Sequence, residues 1–210
     1  LLLMKKLLLL LLFIPLVSYG QEYSLGKKIN LNFLSADIIS LNNPDGWQMS
    51  KEKTELSNFG NIQQTIVFNK DLSTKITITL RSITDNEKLV LEKTESFKSP
   101  EGKLKFFFSN VVKEEAFISG NISVEKGIES LMIGDRLVVK LSLILNRIYV
   151  SHRFKFINND QVITLVGEGL KSESEKLKSF LPKLISSIEI NNIETGPKSL
   201  SEYSDLMDSY

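Results

Sequence analysis

Between Arg136 and Val166 the chain writes one pattern three times, and that pattern leaves few folds open. Leu137, Val139, Leu141, Leu143 and Leu145 alternate with less apolar residues. After Asn146-Arg147 come Ile148, Val150, His152, Phe154 and Phe156 against Tyr149, Ser151, Arg153 and Lys155; after Asn158-Asn159-Asp160, Gln161 to Val166 returns. A period of two is the period of side chains across a strand, and short polar turns between such runs join antiparallel neighbours. The region predicts a meander of antiparallel strands.

Upstream, Ile29, Leu31 and Phe33 alternate with Asn30 and Asn32, which predicts a half-buried strand over 28–33. The chain then turns at Asn42-Asn43-Pro44-Asp45-Gly46, with Trp47 directly after it. Residues 62–69 and 75–81 alternate again, and Asp71-Leu72-Ser73-Thr74 between them predicts a hairpin loop. From Thr84 the period changes. Thr84 with Glu87 three residues on has capping-box spacing, and a helix is expected to run to about Ser99-Pro100. Strand, short helix, strand is the expectation for 104–128, where Phe106-Phe107-Phe108 cannot all face one side of a strand, so that one is exposed or the three form a loop clamp.

The clearest helix begins at Ser172. Leu177, Phe180, Leu181, Leu184, Ile185 and Ile188 fall at three-and-four spacing on one face. Pro182 within it is expected to kink the helix or divide it in two. From Asn191 the chain turns polar through Gly196-Pro197, although Leu200, Tyr203, Leu206 and Met207 could form one more short amphipathic helix.

These elements predict an α+β fold: one curved antiparallel β-sheet flanked by helices, an α/β/α sandwich, in a single domain over 21–190 followed by a polar tail over 191–210. Residues 1–20 read as an address. Lys5-Lys6, an apolar run from Leu7 to Val17 and the small residues Ser18 and Gly20 have the layout of a cleaved secretory signal, with cleavage before Gln21. The run is short of the roughly 20 apolar residues that a bilayer span takes. The expected locale is the bacterial periplasm or the exterior.

No cysteine occurs, so disulfides, thiolate nucleophiles and thiolate metal sites are excluded. Without Lys5 and Lys6, the 26 basic residues fall to 24 against 25 acidic ones. A net charge of −1 shows neither the basic excess or stripe that a nucleic-acid backbone needs nor the clustered Lys/Arg of an anionic-membrane binder. No cofactor or metal is called for, since His152 is the only histidine and no Asp-x-Asp-x-Asp-Gly loop exists.

His152 falls in phase with Val150 and Phe154, so it reads as a core or edge histidine satisfied by a hydrogen bond rather than a catalytic base; no catalytic residue is assigned. Gly167-Glu168-Gly169 lacks the rest of a dinucleotide or P-loop pattern and reads as a strand-to-helix turn. The candidate contacts for a ligand or partner are Arg147, Tyr149, Arg153 and Lys155, which alternate residues place together with Ser151 on one face. That face is open to an anionic ligand or an acidic partner, or else solvated or covered by a helix with matching acids. Trp47 is either a core plug or a fifth contact.

The turn Asn43-Pro44-Asp45-Gly46-Trp47, the antiparallel run, the middle helix and the closing Leu184-Ile185-Ser186-Ser187-Ile188 together resemble the PsbP, Mog1 and DcrB-like group. The resemblance covers 28–190. It implies a three-layer α/β/α sandwich and a non-catalytic accessory or binding role beside another envelope protein, and it carries over no catalytic residue. A binding protein for a small anionic or lipidic ligand is the alternative, and an exported hydrolase acting through His152 the more remote one.

Overall fold

The structure is a computed structural model, and it describes residues 22–32, 37–50, 53–56, 62–93, 98–117, 122–158 and 161–192. The leader at 1–20 and the residues beyond 192 lie outside them, as does the amphipathic stretch from Leu200 to Met207. The strands are β1 (Leu25–Asn32), β2 (Asp37–Pro44), β3 (Gln48–Met49), β4 (Lys53–Leu56), β5 (Ile62–Asn69) and β6 (Lys75–Ser82). Two helices follow, α1 (Asp85–Lys93) and α2 (Pro100–Phe117). Then come β7 (Ile122–Ile133), β8 (Arg136–Leu145), β9 (Tyr149–Asn158), β10 (Gln161–Leu170), a 3-10 turn at Lys171–Glu173, α3 (Ser174–Ser186) and β11 (Glu189–Asn192).

The larger sheet has the order β3-β5-β6-β10-β9-β8-β7, with β4 beside β5, and a smaller sheet has the order β1-β2-β11. All pairs are antiparallel. Alternate residues of β9 divide the molecule. Val150, Phe154 and Phe156 face α3 and the small sheet in a core with Ile66, Ile78, Ile163, Leu165, Phe180 and Ile39. On the other face Val139 and Val162 pack with Leu104, Phe107 and Phe108 of α2, and with Val90 and Leu91 of α1. The result is α+β, a sheet between helical layers.

Local chemistry sets the joints. The two sides of the capping box meet: Glu87 N–H donates to Thr84 Oγ1 at 3.1 Å, and Thr84 N–H to Glu87 Oε2 at 2.9 Å. Arg81 grips the same carboxylate with two bonds, 2.7 and 2.6 Å, fixing α1 to the end of β6. In the β5–β6 hairpin Asp71 Oδ1 accepts the N–H groups of Ser73 and Thr74, each at 2.8 Å. Between β8 and β9 both Asn146 and Arg147 take positive φ, 50° and 64°, the twist that tight hairpins need.

Four expectations are corrected. The turn before Trp47 follows β2, a strand that the sequence reading passed over. Residues 104–128 are not strand, short helix, strand, because α2 runs from Pro100 through Phe117. Leu104, Phe107 and Phe108 have helical spacing and are buried, while Phe106 is exposed. Of the two outcomes expected at Pro182, division is the one excluded, because α3 runs through it. Its missing donor costs about 3 kcal/mol, whereas Leu177, Phe180, Leu181, Leu184 and Ile185 are fully buried, each contributing about 1.5–3 kcal/mol.

The fourth correction concerns Gly167-Glu168-Gly169, which is strand and not turn: β10 continues to Leu170. A Cβ at Gly167 would lie 2.7 Å from Leu181 Cδ1, and one at Gly169 would lie 3.3 Å from Thr74. The glycines are where α3 sits down on the sheet. In a strand with room to spare, replacing glycine by alanine gains stability. We therefore expect Gly167→Ala to lose about 1–3 kcal/mol by overpacking, measured by urea unfolding; a variant as stable as the parent would show that the close approach carries no constraint.

Candidate functional site

Strand β9 carries most of the sequence-nominated residues, and its register decides which meet. Tyr149 lies opposite Leu145 and Leu170, Ser151 opposite Leu143 and Glu168, Arg153 opposite Leu141 and Val166, and Lys155 opposite Val139 and Thr164. Tyr149, Arg153 and Lys155 therefore share the α2 face, as the alternation requires. Arg147 does not join them, because it lies in the turn rather than on the strand. Trp47 is on the other side of the sheet.

The α2 face is a connected polar row and not an open stripe of cations. Arg153 Nε–H donates to Ser151 Oγ at 3.3 Å, and Ser151 donates to Glu168 Oε1 at 3.4 Å. Glu168 in turn pairs with Lys75 at 3.0 Å. The row crosses β9, β10 and β6. Lys155 is buried, with its ammonium 6.0 Å above the Phe108 ring. Sequence reasoning did not place Glu168 or Lys75 on this face, because it ended β10 at Val166. Extending that strand by two residues would have placed Glu168 opposite Ser151.

On the other face His152 is sealed. It is 0% exposed, with Nδ1 2.9 Å from Ser142 Oγ and Nε2 3.0 Å from Ser174 Oγ. Both ring nitrogens thus meet serine hydroxyls, and the ring ties β8 and β9 to the first residue of α3. A general base has to reach the proton it abstracts. This one reaches no solvent, so the geometry gives the hydrolase reading no support. Among the described residues no group of three or more carboxylates and imidazoles could hold a metal ion.

Trp47 closes the core beside α3. Its ring is stacked 6.4 Å from Phe180 and edge-on to Tyr23 at 5.2 Å. The Tyr23 hydroxyl donates to Glu173, and Lys70 reaches both, at 3.3 Å from the hydroxyl and 3.4 Å from the carboxylate. Burial, and next the Glu173 hydrogen bond, push the Tyr23 hydroxyl far above its ordinary value. Burial alone would raise the Glu173 carboxyl, but the Tyr23 hydrogen bond and the charges of Lys70 and Lys176 outweigh it and hold the group below its ordinary value. Neither Tyr23 nor Glu173 was nominated from sequence, since they lie 150 positions apart.

No family model matches the chain, and no curated protein sequence matches it. Solved structures do. The solution structure of cyanobacterial PsbP (CyanoP) from Synechocystis superposes with a TM-score of 0.52 at 12% identity, covering 79% of this chain and 92% of that one. The fold is PsbP-like. A Pseudomonas aeruginosa protein of unknown function matches more loosely, at TM-score 0.40 and 9% identity over 83% of this chain and 99% of that one. So does LpqN of Mycobacterium tuberculosis, at 0.41 and 11% over 79% and 91%. The likeness read from the Pro-Asp-Gly-Trp turn and the closing helix thus holds for the PsbP-like fold, and at such identities it transfers no chemistry.

The Tyr23–Glu173–Lys70 cluster has a pH signature. A carboxyl whose folded value lies below its unfolded value of about 4.3 stabilises the fold fully above that value, and the contribution fades as pH falls through the folded value. Glu173→Gln is expected to cost about 1.5–3 kcal/mol near pH 7. Urea titrations of parent and variant should show this gap constant from pH 7 to about 5 and shrinking below about 4. A gap undiminished at about pH 3 would mean that the carboxylate charge is not what holds Tyr23.

Proposed function

We propose that this chain is an exported, non-catalytic accessory or binding protein of the bacterial cell envelope. The observation that carries this reading is the burial of His152 between two serines, which keeps the chain's only imidazole from any outside substrate. The signal-like layout of 1–20 and the PsbP-like fold support it. None of the described helices is long and apolar enough to cross a membrane.

Among the nominated contacts, Trp47 and Lys155 are buried in the packing, so a partner reaches them only by parting the layers. Arg147 and Tyr149 stand at the surface, with Arg153 half-buried behind them. We assign contact with another envelope component to Arg147 and Tyr149, with Arg153 in support. A small anionic ligand is the second reading, favoured by Arg153 within the polar row under α2.

Two measurements test the pair. Osmotic-shock fractionation of the expressed chain should release it with the periplasmic contents or the medium, and retention in the cytoplasm would overturn export. Affinity capture from envelope extract should recover the same component repeatedly and lose it in Arg147→Glu. Recovery of nothing specific, together with a co-purifying small anion in native mass spectrometry, would move the assignment to the ligand reading.

A further inference from the structure

One end of the larger sheet gathers exposed apolar side chains that the sequence scatters over a hundred residues. The β5–β6 hairpin, the end of β10 and the β8–β9 turn meet there, since Lys75 lies opposite Glu168 and Leu170 opposite Tyr149. Leu72 at the hairpin tip is 110% exposed, Ile148 in the turn 57%, and Leu170 and Tyr149 between them more than a third. With strands about 4.8 Å apart and the order β5-β6-β10-β9-β8, the two tips are three spacings, roughly 14 Å, from each other. Lys171 N–H donates to Ile148 O at 2.8 Å, which brings Lys171 beside Ile148, the residue that follows Arg147.

The charges at this end are unequally engaged. Asp71 is held by its own hairpin, Glu168 by Lys75, and Glu173 by Tyr23 and Lys70. Arg147 and Lys171 have no ion-pair partner among the described residues. Of the other acids nearby, Glu175 pairs with Lys178 at 3.1 Å, and Asp45 belongs to the turn before Trp47 on the α3 side of the sheet. Two available cations, 24 positions apart and so no cluster in the sequence, therefore stand beside apolar tips. Arg147 also holds a positive φ that arginine seldom adopts, which sets the direction of its Cα–Cβ bond from the turn.

We infer that this end docks reversibly on an anionic bilayer surface, with Leu72 and Ile148 entering the interface, Tyr149 at headgroup level, and Arg147 and Lys171 on lipid phosphates. This rests on the reading that Arg147 and Tyr149 contact an envelope component, and it names that component. A fluid interface deforms around separate protruding tips, whereas a protein would have to supply a separate hollow for each. The affinity is modest, because each cation near an anionic surface is worth about fivefold in partition and the tips bury little area.

The test is co-sedimentation of the exported chain, as recovered from its expression host, with vesicles of phosphatidylglycerol and phosphatidylethanolamine or of phosphatidylcholine alone. The parent should partition onto the anionic vesicles at low salt and be released as salt rises. Leu72→Ser with Ile148→Ser, and separately Arg147→Glu, should each lower that partition about tenfold or more. Met132→Ser, at an exposed site near the opposite end of the sheet, should leave it unchanged. All these positions are exposed, and unaltered melting curves would show that the variants fold. No partition, or equal loss in Met132→Ser, overturns the inference. An envelope protein captured through Arg147 without vesicle binding also overturns it, while leaving the accessory-protein reading intact.

Discussion

Everything in this molecule hangs on how closely α3 approaches the sheet. Its buried stripe, Leu177, Phe180, Leu181, Leu184 and Ile185, lies against β10 at Gly167 and Gly169, where no side chain intervenes. The helix then reaches down to Phe154, Leu165 and Ile78 on one side and to Ile39 and Leu41 of the small sheet on the other. One bulkier residue on β10 would lift it and open both contacts. Interiors are packed too densely for a shift of that size to stay local.

Polar groups then fix the position that packing allows. At the start of α3, Glu173 meets Tyr23 and Lys70, and Ser174 meets His152; an acid there also suits the positive end of the helix. At its far end Arg136 donates to Ile185 O at 2.9 Å and Ile188 O at 2.5 Å, a cation at the negative end. Hydrophobic burial is non-directional, so it supplies cohesion without choosing where along β10 the helix stops. The hydrogen bonds at the two ends make that choice. His152 belongs to this apparatus, which is why the chain's only imidazole is withheld from solvent.

The parts of this arrangement legible in the sequence were those written in local periodicity. The meander from Arg136, the hairpin around Asp71, the Thr84–Glu87 box and the stripe of α3 each declare themselves within a dozen residues, and all are present. Strand β2 escaped because Ile38-Ile39 and Leu41 follow no strict alternation, and α2 because Phe106 interrupts the reading of Leu104, Phe107 and Phe108 as one face. Gly167 and Gly169 looked like a turn because glycine's permissiveness and its lack of bulk leave the same letter. What no local pattern holds is the meeting of Tyr23 with Glu173, or of Leu72 with Ile148.

That last difference bears on where binding chemistry can sit. Both faces of the larger sheet are committed over much of their area, one to α3 and the small sheet, the other to α1, α2 and the Arg153–Ser151–Glu168–Lys75 row. A fold that spends its faces on internal layers leaves its turns and strand ends for outside contact, and those are also the segments whose sequence can change at least cost to stability. The exposed apolar tips stand at such an end, beside the cluster that anchors α3. The turn at Lys171 beside them runs directly into Glu173 and Ser174, so the outer edge of the molecule adjoins the helix that holds its layers together.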